Sequence, residues 1–229
     1  MTDAHVPGST LVRPIPLGQV NAFLVRGTRP VLVDTGLPGN APKILAALSG
    51  EGYKPQDLSL IIITHLHTDH FGSAAALSAA TGAPVLVHAG EAEFLARGEG
   101  LPPVPVSLMG RIFAFLIGRQ APVPDLAVVP AIRVNGPYRL DAYGIDGEVI
   151  PTPGHTHGSL SVRLGSGEFI AGDLVTGILP AHRPRPPLFA EDIDASQKSI
   201  REVMDARPGI IYAGHGGPFT PGQLDSLMR

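Results

Sequence analysis

The chain has 229 residues with 17 Lys and Arg against 20 Asp and Glu. By surface scaling, a chain of this length buries about 70% of its extended surface, enough for one domain with a full core. The formal net charge of −3 offers no basic field for a phosphate backbone, so nucleic acid is not the expected partner, and the absence of cysteine excludes disulfides, thiolate nucleophiles and Cys-ligated zinc.

The N-terminal Met1-Thr2-Asp3-Ala4-His5-Val6-Pro7 has no basic stretch followed by an apolar one. It does not read as a signal peptide, and the expected location is the cytoplasm. The 28 glycines and 24 prolines fall between apolar runs, which predicts many short elements joined by tight turns. Gln19–Val25 and Pro30–Val33 read as paired strands that lead to Asp34-Thr35-Gly36, and Ala41–Leu48 has the spacing of a short helix. Ser59–Ile63 is an apolar run rich in β-branched residues and too short for a helix, hence a buried strand. After His65–His70, the alanine-rich Gly72–Thr81 predicts a helix and Val85–His88 a further strand. The histidine loop therefore lies at the carboxyl end of a strand in a strand, helix, strand unit, where ligands sit in α/β sheets.

Residues 101–137 carry seven prolines around the apolar Leu108–Ile117. We read about 101–133 as a lid-like insertion in a single domain spanning residues 1–229, with a helix packed on the core as the alternative. The strongest apolar window, Ser107–Gly118, contains Arg111 and is well short of the roughly 20 residues of a membrane span. Arg139–Ile150, Leu160–Leu164 and Glu168–Ala171 read as strands, Ala195–Ala206 as the last helix and Ile210–Tyr212 as the last strand. Each half runs strands first and ends a strand in aspartate, Val31–Asp34 and Phe169–Asp173, a hint of internal duplication.

Six of the nine histidines fall in three short stretches, each just after an expected strand: His65, His67 and His70; His155 and His157; and His215. In an extended loop, residues two apart point the same way, so His65 and His67 can face one ion. Asp69 and His70 turn toward a second position as the chain enters the helix. Four polar residues between an Ile run and an Ala helix gain nothing by packing, which favours ligation.

The run Thr64-His65-Leu66-His67-Thr68-Asp69-His70 stands in order with Val33-Asp34-Thr35-Gly36, Pro153-Gly154-His155-Thr156-His157-Gly158-Ser159, Ala171-Gly172-Asp173 and Gly214-His215-Gly216. Together, across residues 31–217, these resemble the five signatures of the metallo-β-lactamase-fold hydrolases. The resemblance implies an α/β fold, a four-layer αββα sandwich with a dinuclear metal site along the shared edge of its sheets. It implies His65, His67 and His155 on one ion, Asp69, His70 and His215 on the other, and Asp173 bridging them. Asp34 would fix a ligand's orientation from a strand end, with a simple turn role as the alternative. Asp69 is also the catalytic candidate.

The implied cofactors are two divalent ions, zinc by preference with His and carboxylate donors, iron and manganese remaining open. Two such ions, two carboxylates and a bridging hydroxide leave a net charge of about +1, which attracts a carbonyl oxygen or an anion while the hydroxide serves as nucleophile at neutral pH. His157 departs from the family's usual neighbour at that position and either lines the cleft or is incidental. His88 and His5 are expected to be structural, His182 is a candidate for the cleft mouth, and Tyr212 either donates to a developing oxyanion or packs.

On this reading the chain hydrolyses a small-molecule carbonyl compound: a lactone, thioester or β-lactam. A lactonase or thioesterase for small apolar acyl groups is preferred, because an apolar lid suits an acyl chain. Only 14 residues follow His215, which argues against the family's glutathione thioesterases, whose helical substrate-binding region follows the last ligand. Alternatives of the same fold are a mononuclear iron dioxygenase that oxidises sulfur and a nuclease or phosphodiesterase; a non-catalytic metal-binding protein is a third.

Overall fold

Most strands of this molecule are only three to five residues long, because Pro and Gly interrupt the apolar runs before they lengthen. The computed structural model describes residues 11–117, 123–177 and 183–227. Six strands, β1 (Val12–Pro16), β2 (Asn21–Val25), β3 (Val31–Val33), β4 (Leu60–Ile62), β5 (Val85–His88) and β6 (Ile132–Val134), form one sheet in sequence order. It is antiparallel from β1 to β3 and parallel from β3 to β6. The helices that follow or interrupt these strands are α1 (Ala41–Gly50), α2 (Thr68–Phe71), α3 (Ala74–Thr81), α4 (Ala92–Ala96) and α5 (Leu108–Ile117). The second sheet has the order β11-β10-β9-β8-β7, with β7 (Tyr138–Arg139), β8 (Gly147–Pro151), β9 (Leu160–Leu164), β10 (Glu168–Ile170) and β11 (Ile210–Tyr212). Between β10 and β11 runs α6 (Ile193–Asp205), capped by the Asp192 carboxylate on the Ala195 N–H, and α7 (Pro221–Leu224) closes the described chain's helices.

The layering follows from period-2 alternation in strands buried on both faces. In β3 and β4, Leu32 and Ile61 point to a cluster shared with Ile44 and Leu48 of α1 and Leu77 of α3. Their neighbours Val31, Val33, Leu60 and Ile62 point the other way, to a cluster shared with Val149, Val162, Ile170 and Tyr212 of the second sheet. Phe169 and Ile211 then face Ile200 and Val203 of α6. Helices, sheet, sheet and helix are thus the four layers of an αββα sandwich. Among the described residues no helix is long and apolar enough to cross a membrane.

Three details differ from expectation. β1 is not among the strands expected from sequence; it contains Pro14 and Pro16, and at the edge of its sheet it pairs only with β2 and tolerates residues that cannot donate. The stretch Arg139–Ile150, expected as one strand, is broken by a 3-10 turn over Asp141–Tyr143 that ends at Gly144 with φ +69°. Ile132–Val134, placed by sequence at the end of the lid-like segment, is the edge strand β6 and pairs with β5.

A buried carboxylate also ties the sheets together. Glu168 accepts from the backbone N–H groups of Leu11 (2.8 Å) and Val12 (3.2 Å) at the head of β1, and from the Tyr212 hydroxyl (3.2 Å). Burial and then the Glu168 charge push the Tyr212 hydroxyl up to about 12, so it stays a donor. This is the packing role of Tyr212, and its hydroxyl is committed to Glu168 rather than to an oxyanion. Glu168→Ala strands three donors at a cost of ~1–3 kcal/mol for a buried unsatisfied group, and we expect it to lower the unfolding free energy by about 3 kcal/mol. Urea denaturation checks this; an unchanged midpoint would show that water replaces the carboxylate at no cost.

Candidate metal centre

β3, β4, β8, β10 and β11 deliver their carboxyl ends to one edge of the sandwich, and the chain leaving each carries one or more of the candidate residues. Asp34 follows β3, His65 to His70 follow β4, His155 follows β8, Asp173 follows β10 and His215 follows β11. The parallel pairs β3 with β4 and β10 with β11 put neighbouring ends level. All seven candidate ligands and Asp34 are therefore brought together, and two groups with separate members, joined by a third of His65, His70 and Asp173, hold their donor atoms within 4.8 Å of one another.

The first group is His65, His67 and His155. His155 Nδ1 lies 2.7 Å from the Phe189 carbonyl and must donate to it, which leaves a bare lone pair on Nε2. The Thr64 hydroxyl gives its one proton to Asp34 Oδ2 at 2.8 Å. His65 Nδ1, 3.0 Å from Thr64 Oγ1, is therefore the donor in that contact, and His65 Nε2 is bare as well. The two bare nitrogens are 3.2 Å apart, and His67 Nδ1 lies 3.2 Å from one and 3.0 Å from the other. A single proton on His67 can satisfy only one of these contacts, whereas a cation accepts all three lone pairs. Burial drives His65 and His155 below the usual histidine range, and burial with the His155 ring lowers His67 to about 3. Three neutral imidazoles at neutral pH make a donor set suited to a zinc-like ion.

The second group is Asp69, His70 and His215. His215 Nδ1 donates to the Gln19 carbonyl at 2.7 Å, aiming Nε2 at Asp69 Oδ2 (3.2 Å) and Asp173 Oδ2 (3.3 Å). His70 Nδ1 is 2.8 Å from Asp34 Oδ2. Its Nε2 faces Asp173 Oδ1 at 3.5 Å and Asp69 Oδ2 at 4.0 Å, and both His70 Nε2 and Asp173 Oδ1 are buried without a hydrogen-bond partner. Orphaned atoms that face each other beyond hydrogen-bond range fit a cation held between them. Burial lowers His70, but the Asp173, Asp34 and Asp69 carboxylates outweigh it and raise the ring to about 9. His215 is raised in the same way, chiefly by Asp173 against burial. Asp69 and Asp173 are held below the carboxylate range by His70 and His215, again against burial.

Asp34 is the hub behind both groups. It is fully buried with φ +60°, a conformation costing a non-glycine residue on the order of 1 kcal/mol or more. Its Oδ1 accepts from the Thr64 N–H, and its Oδ2 from the Thr64 hydroxyl and His70 Nδ1, all at 2.8 Å. Gly214 leaves room beside Asp173 and His70: a Cβ there would overlap Asp173 Oδ1 and come within 2.6 Å of His70 Cε1.

Several contributors were not singled out from sequence. The Phe189 and Gln19 carbonyls are backbone atoms that carry no residue-type signal. Asn21 Nδ2 holds the His215 turn through the carbonyls of Ala213 (3.2 Å) and Gly216 (3.1 Å). Thr64 was visible only as part of its motif, and buried Glu91 not at all. His88 accepts from the Gly90 N–H, capping a 3-10 turn, and its ring stands edge-on to exposed His157 at 5.8 Å; neither belongs to a donor group. His5 and His182 lie outside the described residues.

The model of the metallo-β-lactamase superfamily matches residues 15–215. The chain belongs to that superfamily. A probable metallo-hydrolase of Methanocaldococcus jannaschii, MJ0888, is 30% identical over 197 residues, covering 86% of this chain and 87% of its own. The probable metallo-hydrolase YflN of Bacillus subtilis is 29% identical over 215 residues, covering 83% of this chain and 76% of its own. The crystal structure of BLEG-1, a B3 metallo-β-lactamase, superposes with a TM-score of 0.70 at 24% identity, covering 94% of this chain and 96% of that one, and shares its fold. The protein is a metal-dependent hydrolase of this superfamily, with His and Asp groups able to hold metal ions.

The two donor groups of this superfamily hydrolase should load differently. In the metal-free protein at pH 7 the first group is neutral, whereas His70 and His215 carry protons that a metal must displace. Loading the second group should release protons and tighten as pH rises toward about 9, while loading the first should release few. Folded His70 binds its proton more tightly than unfolded His70. Its contribution to the metal-free fold is therefore full below pH 6.5 and lost as pH rises through about 9. Calorimetry in buffers of different ionisation enthalpy reads the protons; equal release in both binding steps would contradict this division.

Proposed function

We propose that this hydrolase attacks the carbonyl of a small-molecule lactone, thioester or β-lactam at a centre of two divalent ions, zinc by preference. The observation that carries the reading is the placement of Asp173. Its Oδ1 faces His70 at 3.5 Å while its Oδ2 faces His215 at 3.3 Å and His155 at 3.8 Å, so one carboxylate is common to both donor groups. His65, His67 and His155 would hold one ion, Asp69, His70 and His215 the other, with Asp173 bridging. When bound, the pair of ions supplies hydroxide near neutral pH and polarises the carbonyl oxygen.

The chain's own residues set the rest. Asp34, Phe189 and Gln19 fix the outward nitrogens of His70, His155 and His215, so each ring presents Nε2 inward. Asp69 is 32% exposed against 7% for Asp173, and is the more accessible of the two carboxylates to a substrate. His70 and His215 hold it ionised in the metal-free protein, and ions that displace their protons would do the same, so it acts by accepting a hydrogen bond from the attacking water, not by storing a proton.

Recognition falls to α5. Leu108, Phe115 and Leu116 are 76%, 86% and 72% exposed, which favours a wall open to solvent over a face buried in the core. The helix stands next to a short antiparallel pairing: the Val106 N–H donates to the Leu188 carbonyl and the Ala190 N–H to the Val104 carbonyl. Phe189, between those partners, lies edge-on to His67 with ring centroids 6.5 Å apart. This favours α5 and Phe189 as an apolar wall beside the first donor group, suited to an acyl chain.

Elemental analysis of protein prepared without chelators should give two metal ions per chain, and among lactones, thioesters, β-lactams and phosphodiesters the carbonyl substrates should be turned over. A single iron with sulfur oxidation, or turnover of phosphodiesters alone, would overturn the reading. Asp173→Ala should empty the second group more than the first, since three neutral histidines still hold an ion. Phe115→Ala should cost roughly fourfold in kcat/KM per methylene that loses contact, at ~0.8 kcal/mol each, shifting the preferred acyl length at constant Tm. An unchanged length preference would remove α5 from recognition.

A further inference from the structure

Behind the first donor group lies a carboxylate that neither the donor groups nor the acyl wall uses. Glu91 ends the 3-10 turn after β5 and is only 2% exposed. Carboxylates are rarely buried unless compensated. Burial pushes the Glu91 carboxyl above its ordinary range, and hydrogen bonds compensate in part: the Thr156 hydroxyl donates to Glu91 Oε1 at 2.6 Å and the Gly158 N–H to the same atom at 3.0 Å. Thr156 immediately follows His155. The carboxylate therefore grips at two points the loop that carries His155.

The surroundings are shaped to this contact. A Cβ on Gly158 would come within 2.6 Å of Glu91 Cγ, so only glycine lets the 155–158 loop lie flush against the carboxyl group. Thr156 is oriented in turn by Ser159, whose Oγ accepts from the Thr156 N–H at 2.9 Å. The Leu66 carbonyl, between His65 and His67, is pinned by the Leu101 N–H at 2.7 Å. Meanwhile Glu91 Oε2 is buried with no hydrogen-bond partner. A residue needed only to fill this space would be apolar, since a half-satisfied buried carboxylate costs free energy that packing alone does not return.

We infer that Glu91 is a positioning residue: by holding the His155 loop through Thr156 and Gly158, it sets where His155 meets the His65 and His67 imidazoles and tunes metal affinity at that group alone. The inference rests on the proposed metal centre. Its test uses zinc in competition with a chromophoric chelator, on the full chain in two backgrounds. With His215→Ala the three-histidine group is read by itself; with His67→Ala the second group is read by itself. Partners that orient ligands are typically worth tenfold to a hundredfold in affinity. Glu91→Ala should therefore weaken zinc by about that factor in the first background and leave the second unchanged. Glu91→Gln, which keeps one accepting oxygen for Thr156 and Gly158, should recover most of the loss, and Thr156→Val should reproduce part of it. Equal losses in both backgrounds would mean that Glu91 acts through the fold as a whole, and undiminished affinity in the first background would mean that it positions nothing; either overturns the inference. Failure of the His215→Ala protein itself to bind zinc would instead defeat the metal-centre reading. Should Glu91→Ala not fold, Glu91→Gln and Thr156→Val decide by the same comparison of backgrounds.

Discussion

The structure depends on one crowded edge. There, two imidazole nitrogens without hydrogens lie 3.2 Å apart with a third beside them, and an orphaned nitrogen faces an orphaned carboxylate oxygen at 3.5 Å. Such a cluster is unfavourable for the polypeptide alone, because each buried polar group without a partner costs ~1–3 kcal/mol. What holds it together is the sandwich beneath: strands buried on both faces cannot slide or tilt without exposing Leu32, Ile61, Ile170 or Ile211. Divalent ions at the edge would reverse the sign of the local interaction. The stability of the protein and the occupancy of its centre are then linked quantities.

Rigidity at the edge comes from a second rank of acceptors, each fixing a tautomer. Asp34, the Phe189 carbonyl and the Gln19 carbonyl take the Nδ1 protons of His70, His155 and His215, and Thr64 takes that of His65. They come from four separate parts of the chain: the end of β3, the start of the histidine loop, the segment before α6 and the turn between β1 and β2. The centre is thus assembled only when both sheets and their connections are in place. Asp34 illustrates the cost. A side chain forced to φ +60° is retained because that backbone turn puts both of its oxygens against Thr64 and His70.

This division decides what could be read in advance. The donors themselves were legible because His and Asp at two-residue spacing after a buried Ile run have no packing use, and the resemblance ordered them. β3 to β5 were legible for a related reason: strands covered on both faces are continuously apolar. β1 was not, because its two prolines suit an edge whose pairing partner could not be known locally. The outer acceptors were hidden for a deeper reason. Two of them are backbone carbonyls, whose chemistry is the same under any side chain. Glu91 sits in Gly90-Glu91-Ala92-Glu93, where nothing separates it from Glu93, yet one is buried and the other forms a surface ion pair with Arg133. Only the tertiary contact with Thr156 and Gly158 distinguishes them.

On the proposed reading the same segment would serve chemistry and recognition, which constrains how the protein can vary. Residues 188–190 pair with residues 104–106 ahead of α5, and in the middle of that pairing the Phe189 carbonyl holds His155. Moving the base of α5 therefore shifts a ring that belongs to the first donor group. Gly110 tightens the coupling, since a Cβ at that position would come within 2.5 Å of the Leu188 carbonyl oxygen. The outward residues Leu108, Phe115 and Leu116 carry no such load, being largely surrounded by solvent. If α5 is the wall proposed above, substrate preference could thus drift on its exposed face while the pairing at its base stays fixed, because the first change alters only what an acyl group would touch and the second alters where an imidazole points.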